Sequence, residues 1–336
     1  MIIDSHTHMY YYNKMSCIKL LPEDSRLTTL PIARPGLWEL YKQATRCFWV
    51  ADQIPLSQDR QHYEERLTPG QKHFVDLILA FFATSDKLVN INLAARFKQE
   101  VPILEAEAFY DFQMAMENIH AEIYAQQLNT IIADPQHRQK LLDGIHTIPV
   151  IRKMADWMTK CTQSDEPFPV RLLRMACVEG IFFISCFCAI YWLKKKDLMP
   201  GLGLANEFIA RDESLHTRFA LHVFDELIEQ EHKPSSAVIN GIVSDAVDIA
   251  KEFVNEALKT DLPEMNAKLM KQYVECAADG FLSMIHMPAL YKSENPFDFM
   301  IQQGLGTKTN FFERRESNYS MPSKSDSSEW NYNVEF

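Results

Sequence analysis

Two short motifs constrain this chain more than any other feature: Glu117-Asn-Ile-His120 and Glu213-Ser-Leu-His216. Each sets a carboxylate and an imidazole three residues apart in a stretch of helical periodicity. Positions i and i+3 share one face of a helix, so both side chains of a motif can reach one ion. A single Glu-x-x-His arises often by chance. Two of them, with an isolated Asp86 and an isolated Glu179 on other apolar helices, form the set that a four-helix dinuclear carboxylate site needs. Asp86 stands where a Glu is usual.

Taken singly, each of these residues reads as a Glu on a helix surface or a core His bonded to a backbone carbonyl. Taken together they resist that reading, because Asp86 and Glu179 sit in mid-helix among Phe, Leu and Ile. A buried carboxylate without a partner is costly, so such groups end up paired, protonated or metal-bound. Asp86, Glu117, Glu179 and Glu213 would bring four negative charges, which two divalent ions neutralise, and His120 and His216 would give one nitrogen to each ion. Oxygen-rich ligation without a thiolate suits iron or manganese better than zinc or Cu(I).

The rest of the sequence reads as all-α. Thr68-Pro69 is a good N-cap followed by Pro at the first helical position, and it opens a helix to about Phe97. Further helices are expected over about 36–46, 102–131, from Asp134-Pro135, from Ile148-Pro149, and over about 170–195, 204–231, 235–259 and 265–287. Pro200-Gly201-Leu202-Gly203 reads as a turn. No strand–helix alternation is visible. The expected class is a ferritin-like helical bundle over residues 36–305, with a mobile arm over 1–35 and a flexible tail over 306–336.

Composition bounds the function. Acidic residues outnumber basic ones 45 to 34, a net charge of −11, which offers no groove for nucleic acid and no attraction to an anionic membrane. The apolar run Ile181 to Leu193 is shorter than the roughly 20 residues a membrane span needs, so it is expected to be a buried core helix. Asp4 and His6 interrupt the start, which does not read as a signal peptide. The 7 cysteines are scattered without a CxxC pair, a pattern suited to a reducing cytoplasm.

Tyr124 lies four residues beyond His120, on the same helical stripe. Phe183 follows Glu179 by four residues and Ile209 precedes Glu213 by four, so each puts an apolar group one turn from a ligand. Alone, Tyr124 reads as an ordinary half-buried core residue. Beside the ligand set, a tyrosine boxed by Phe and Ile is placed to be oxidised and shielded from water.

These residues closely resemble the small subunit of class I ribonucleotide reductase in its eukaryotic-type form. The likeness runs from about Trp49 to Phe336. It is carried by Phe81-Phe82-Ala-Thr-Ser-Asp86, Met116-Glu117-Asn-Ile-His120-Ala-Glu-Ile-Tyr124, Val178-Glu179-Gly-Ile-Phe-Phe183 and Ala210-Arg211-Asp212-Glu213-Ser-Leu-His216. Trp192-Leu-Lys-Lys, Leu198-Met-Pro-Gly201 and Lys308-Thr-Asn-Phe-Phe-Glu313 add to it. The resemblance implies two iron ions on Asp86, Glu117, His120, Glu179, Glu213 and His216, with a manganese variant served by the same ligands.

It also implies a tyrosyl radical on Tyr124, generated with O2, in a pocket that includes Phe183, Phe187 and Ile209. Asp212 would bridge His120 to Trp49, and Tyr319 would relay the radical to a large subunit that reduces ribonucleoside diphosphates. A homodimer is implied, and docking to the large subunit through Trp330, Tyr332 and Phe336. Lys87 departs from the family, where many relatives carry Gly.

Other readings of the same residues are a self-contained dinuclear oxidase or monooxygenase subunit, and a ferritin-like iron-binding protein. The tail argues against both, because large apolar side chains alternating at a polar terminus are suited to docking on a partner. Asp4-Ser-His6-Thr-His8 resembles the opening of metal-dependent amidohydrolases, whose fold needs repeated strand–helix units that this sequence lacks. No phosphate-binding glycine loop is present, so nucleotide chemistry is expected on the partner.

Overall fold

The computed structural model describes residues 17–302. Its principal helices are α1 (Pro35–Arg46), α2 (Pro69–Asn92), α3 (Leu104–Ile131), α4 (Pro135–Leu142), α5 (Pro149–Gln163), α6 (Phe168–Lys195), α7 (Pro200–His222), α8 (Ser236–Ala257) and α9 (Ala267–Met284). Apart from two isolated bridges, Ile18 with Ile228 and Leu262 with Met265, no strand pairing occurs among the described residues. The all-α bundle read from the sequence is the one observed.

Local sequence sets the helix starts. The Thr68 hydroxyl accepts from Gln71 N while Thr68 N donates to Gln71 Oε1 at 2.8 Å, a reciprocal cap ahead of α2. Asp134, Ser235 and Asn266 cap α4, α8 and α9 in the same way, each accepting an N–H of the first turn.

α7 begins earlier than expected, at Pro200 rather than near 204, and it ends at His222 ahead of a wide turn over Val223–Leu227. The segment 200–203 is thus helix, not turn. Asp59, fully buried, caps it from outside by accepting from Gly201 N at 2.8 Å and Leu202 N at 2.6 Å. Gly201 is needed there, since an added Cβ would meet the Pro55 carbonyl oxygen at 2.5 Å.

Two long helices are also less regular than their periodicity suggests. α2 passes into a wide, π-helical turn at Leu93–Phe97, and α6 opens into another at Val178–Phe183, which carries Glu179. Such turns recur at functional sites because they shift side chains off the regular 3.6-residue stripe. By length and composition alone α6 could cross a membrane, but its apolar window is wholly buried in the protein. It is the central core helix expected.

Residues 17–34 correct the expected arm over 1–35. Lys19 N donates to Leu227 O at 2.7 Å, Arg34 pairs with Asp24 at 2.6 Å, and Arg26 pairs with the buried Glu105 at the start of α3. Contacts of this kind outweigh what a polar composition suggests, so this stretch is strapped to the bundle. Residues 1–16, including Asp4, His6 and His8, lie outside the described residues.

α2 packs along α3, and α6 along α7, so the four ligand-bearing helices enclose one core. Its wall is aromatic: Phe81, Phe82, Phe183, Phe187 and Tyr124 are all buried and in ring contact through Phe81 and Phe82. Each such side chain contributes roughly 2–3 kcal/mol by leaving water.

Candidate metal centre

α2 contributes Asp86, α3 Glu117 and His120, α6 Glu179, and α7 Glu213 and His216. All six are buried. Ligand-capable atoms of Glu117, Glu179, Glu213 and His216 lie within 4.8 Å of one another, as do those of Asp86, Glu117 and His120. The six residues singled out in the sequence therefore meet in one place, in two groups that share Glu117.

The two Glu-x-x-His motifs face each other across the core. Glu213 points Oε1 at His120 Nδ1 (3.0 Å) and Oε2 at His216 Nδ1 (3.0 Å). Glu117 points Oε2 at His120 Nδ1 (3.5 Å) and Oε1 at His216 Nδ1 (3.1 Å). Each carboxylate thus offers one oxygen to the neighbourhood of each imidazole, the arrangement of a bridging ligand, with Asp86 and Glu179 at the two ends.

Most of these approaches are not hydrogen bonds. Both oxygens of Glu117, Glu213 Oε1, Asp86 Oδ2 and His120 Nδ1 are buried and without a hydrogen-bond partner. Leaving so many buried acceptors unpaired would cost several kcal/mol. Their lone pairs converge as ligand atoms do around cations, and the set is oxygen-rich with one nitrogen per end. The residues fit a pair of hard or borderline divalent ions. This is a dinuclear metal-binding site.

Electrostatics support that assignment. Burial, and then the neighbouring Glu117, pushes the Asp86 carboxyl well above the usual range, and burial followed by Glu213 does the same to Glu179. Burial also disfavours charge on Glu117, but contacts with His120 and His216 outweigh it and bring that carboxyl down to about 2. Burial opposes the charged form of both imidazoles, and the surrounding carboxylates overcome it: His120 is raised by Asp212, Glu117 and Glu213, and His216 by Glu213 and Glu117. The carboxylate crowding that pushes Asp86 and Glu179 up and both imidazoles toward their charged form is the kind that bound cations would relieve.

Behind the ligands, Asp212 Oδ2 lies 3.2 Å from His120 Nε2 and accepts from Trp49 Nε1 at 2.7 Å. Donation from His120 Nε2–H fixes the tautomer that leaves Nδ1 free to ligate. The Trp49 ring stacks on His120 at 5.9 Å and 22°. Tyr124 stacks on Phe82 at 4.5 Å and 3°, and Phe82 in turn meets Phe183 and Phe187, each at 5.4 Å. Phe82 is the ring directly against Tyr124; it stands four residues before Asp86, the spacing that singles out Ile209 before Glu213, so the same signal could have found it. Ile209 is buried on α7 one turn before Glu213. Lys87 is exposed.

Sequence reasoning also missed Gln113, whose Nε2 donates to Glu179 Oε1 at 3.0 Å. Tyr319, Trp330, Tyr332 and Phe336 lie outside the described residues.

Residues 26–296 match the sequence family described as ribonucleotide reductase, small chain. The protein is 45% identical over 307 residues to the ribonucleoside-diphosphate reductase small chain of Nicotiana tabacum, covering 89% of its own length and 92% of that relative. It is 46% identical over 295 residues to ribonucleoside-diphosphate reductase subunit M2 of Homo sapiens, covering 88% and 75% respectively. The ribonucleotide reductase Rnr4 homodimer of Saccharomyces cerevisiae is similar in structure, with a TM-score of 0.74 and 32% identity over 88% of this chain and 93% of that chain. Dimanganese(II)-NrdF of Streptococcus sanguinis shares the fold at a TM-score of 0.75 and 17% identity, over 83% and 98%.

Proposed function

The chain belongs to the ribonucleotide reductase small-chain family, and from that premise we propose how its residues divide the work of a subunit that generates a radical at a dinuclear metal site. Asp86, Glu117, His120, Glu179, Glu213 and His216 would hold two iron ions, with Glu117 and Glu213 each facing both imidazoles; the same donors would hold manganese. The observation that carries this reading is the cluster of buried ligand atoms without hydrogen-bond partners. When bound and reduced, the ion pair supplies, with O2, the oxidising power that takes an electron and a proton from Tyr124.

Tyr124 holds the radical. Burial, then Asp86 and Glu213, pushes its phenol well above the ordinary value, so the Oη proton stays until the electron goes and the two leave together. Phe82 against one ring face, with Phe183 and Phe187 behind it, keeps water away, and we assign Ile209, buried one turn before Glu213, to the same pocket. A radical shut off from water has fewer routes to decay. Asp212, between His120 and Trp49, offers a hydrogen-bonded path out of the centre, and we assign to Tyr319 the relay onward to the partner.

The partner is the large subunit, which binds and reduces the nucleotide, and the tail docks there through Trp330, Tyr332 and Phe336. In docking by so short a peptide the affinity concentrates in a few aromatics. The protein works as a homodimer. We assign it to the cytoplasm, which seven scattered cysteines without a CxxC pair favour.

Adding Fe(II) anaerobically, admitting O2 and recording metal content and the EPR spectrum tests the radical site. Tyr124→Phe should keep its metal and its fold and lose the tyrosyl signal; a full-intensity signal in that variant contradicts the assignment. Deleting residues 330–336 should abolish nucleotide reduction with the large subunit while iron loading and the radical persist. Full activity of the truncated protein would refute docking through the tail.

A further inference from the structure

The two ends of the centre are held from behind in different ways. At one end His120 is backed by the carboxylate of Asp212, and Asp86 has only a long contact, 3.3 Å, from the adjacent Ser85 hydroxyl on its own helix. At the other end Gln113 reaches across from α3 to α6 and donates from Nε2 to Glu179 Oε1 at 3.0 Å. Gln113 and Glu179 are 3% and 1% exposed, so water does not compete for either.

An amide N–H is a donor in every protonation state, and it has no charge to repel a cation. It therefore stabilises Glu179 as a carboxylate and fixes which oxygen faces inward. That orientation needs an external hold here more than elsewhere, because Glu179 rides the wide turn Val178–Phe183, where the register of a regular helix does not set its direction. Partners behind metal ligands commonly change affinity by about 10–100-fold.

We propose that Gln113 is a positioning residue for the half of the centre built from Glu179 and His216, and that it sets that half's metal affinity separately from the half built from Asp86 and His120. The proposal rests on the ligand roles given above. Gln113 touches neither ion nor Tyr124 in this account; it acts through Glu179.

The test is a titration of the metal-free full-length protein with Mn(II), following free Mn(II) by EPR. The wild type should bind two ions. Gln113→Met keeps the side-chain volume and removes the donor; it should keep one ion at wild-type affinity and bind the other about 10–100-fold more weakly. Gln113→Asn keeps the amide but withdraws it from Oε1, and it should show the same selective loss, which separates the hydrogen bond from packing. In a Glu179→Ala background, Gln113→Met should change the remaining site no further.

Two sites of wild-type affinity in Gln113→Met, equal weakening of both sites, or a further loss in the Glu179→Ala background would each overturn the proposal. A wild type that fails to bind two ions would instead contradict the ligand assignment itself.

Discussion

Glu105 and Glu117 lie on the same helix and neither is exposed, yet their surroundings are opposite in kind. Everything that approaches Glu105 Oε1 is a donor: the Arg26 guanidinium, Ala33 N at 2.8 Å and Arg34 N at 3.1 Å. Around Glu117 stand two imidazole nitrogens out of hydrogen-bond alignment and three further carboxylates. Glu105 Oε2 has no hydrogen-bond partner, but a buried carboxylate with one oxygen saturated by donors fastens structure, whereas one surrounded by other ligand atoms is built for cations. Burial alone does not separate the two classes; the chemistry of the neighbours does.

Exchanging the two sites' fates gives the largest effect. Glu117→Ala should lower bound metal from two ions per protomer to below one and abolish the radical, while the metal-free protein stays folded and loses only the stabilisation that His120 and His216 give the Glu117 carboxylate. Glu105→Ala should leave two ions bound and cost about 3 kcal/mol of stability, since it strands Arg26 and two backbone N–H groups. Metal analysis and urea unfolding of both variants decide it. Loss of metal in Glu105→Ala, or collapse of metal-free Glu117→Ala, breaks the comparison.

Asp59 sharpens it with a smaller effect. Its neighbours are donors, yet burial outweighs Gly201 N and Leu202 N and pushes its carboxyl up to about 6 from 3.8. A folded-state value above the unfolded one means that its contribution is fully present below pH 3.8 and is lost as pH rises through 6. The loss is about 2–3 kcal/mol. Against Asp59→Asn, which has no such charge to bury, the metal-free wild type should therefore lose relative stability between about pH 4 and pH 7. Parallel stability profiles for the two proteins would place Asp59 wholly with Glu105.

The difference between these carboxylates was only partly legible in the sequence. Glu117, His120, Glu213 and His216 were readable because i and i+3 must share a helix face whatever the helix packs on. Asp86 and Glu179 were readable by their apolar flanks. Gln113 and Phe82 each stand four residues before a ligand, Glu117 and Asp86, so periodicity puts them on the ligand stripes; their partners, Glu179 and Tyr124, were hidden because one-dimensional periodicity carries no information on how helices face one another. The wide turn at Val178–Phe183 and the extra turn at the start of α7 were hidden for a related reason: their surroundings are remote in sequence, Phe281 and Thr217 where they crowd Gly180 in the first and the cap from Asp59 in the second. The strap over residues 17–34 looked like an arm because its anchors, Glu105 and Leu227, are remote in sequence.

The most direct test of the central claim is a count of ions. The metal-free wild type, titrated anaerobically with Fe(II) while its melting temperature is followed, should take up two ions per protomer and become more stable as it does so. The variant with both Glu117 and Glu213 replaced by Ala should take up fewer than one and gain no stability. Uptake of two ions by that double variant, or of fewer than two by the wild type, would contradict the claim that these carboxylates are where they are in order to bind metal.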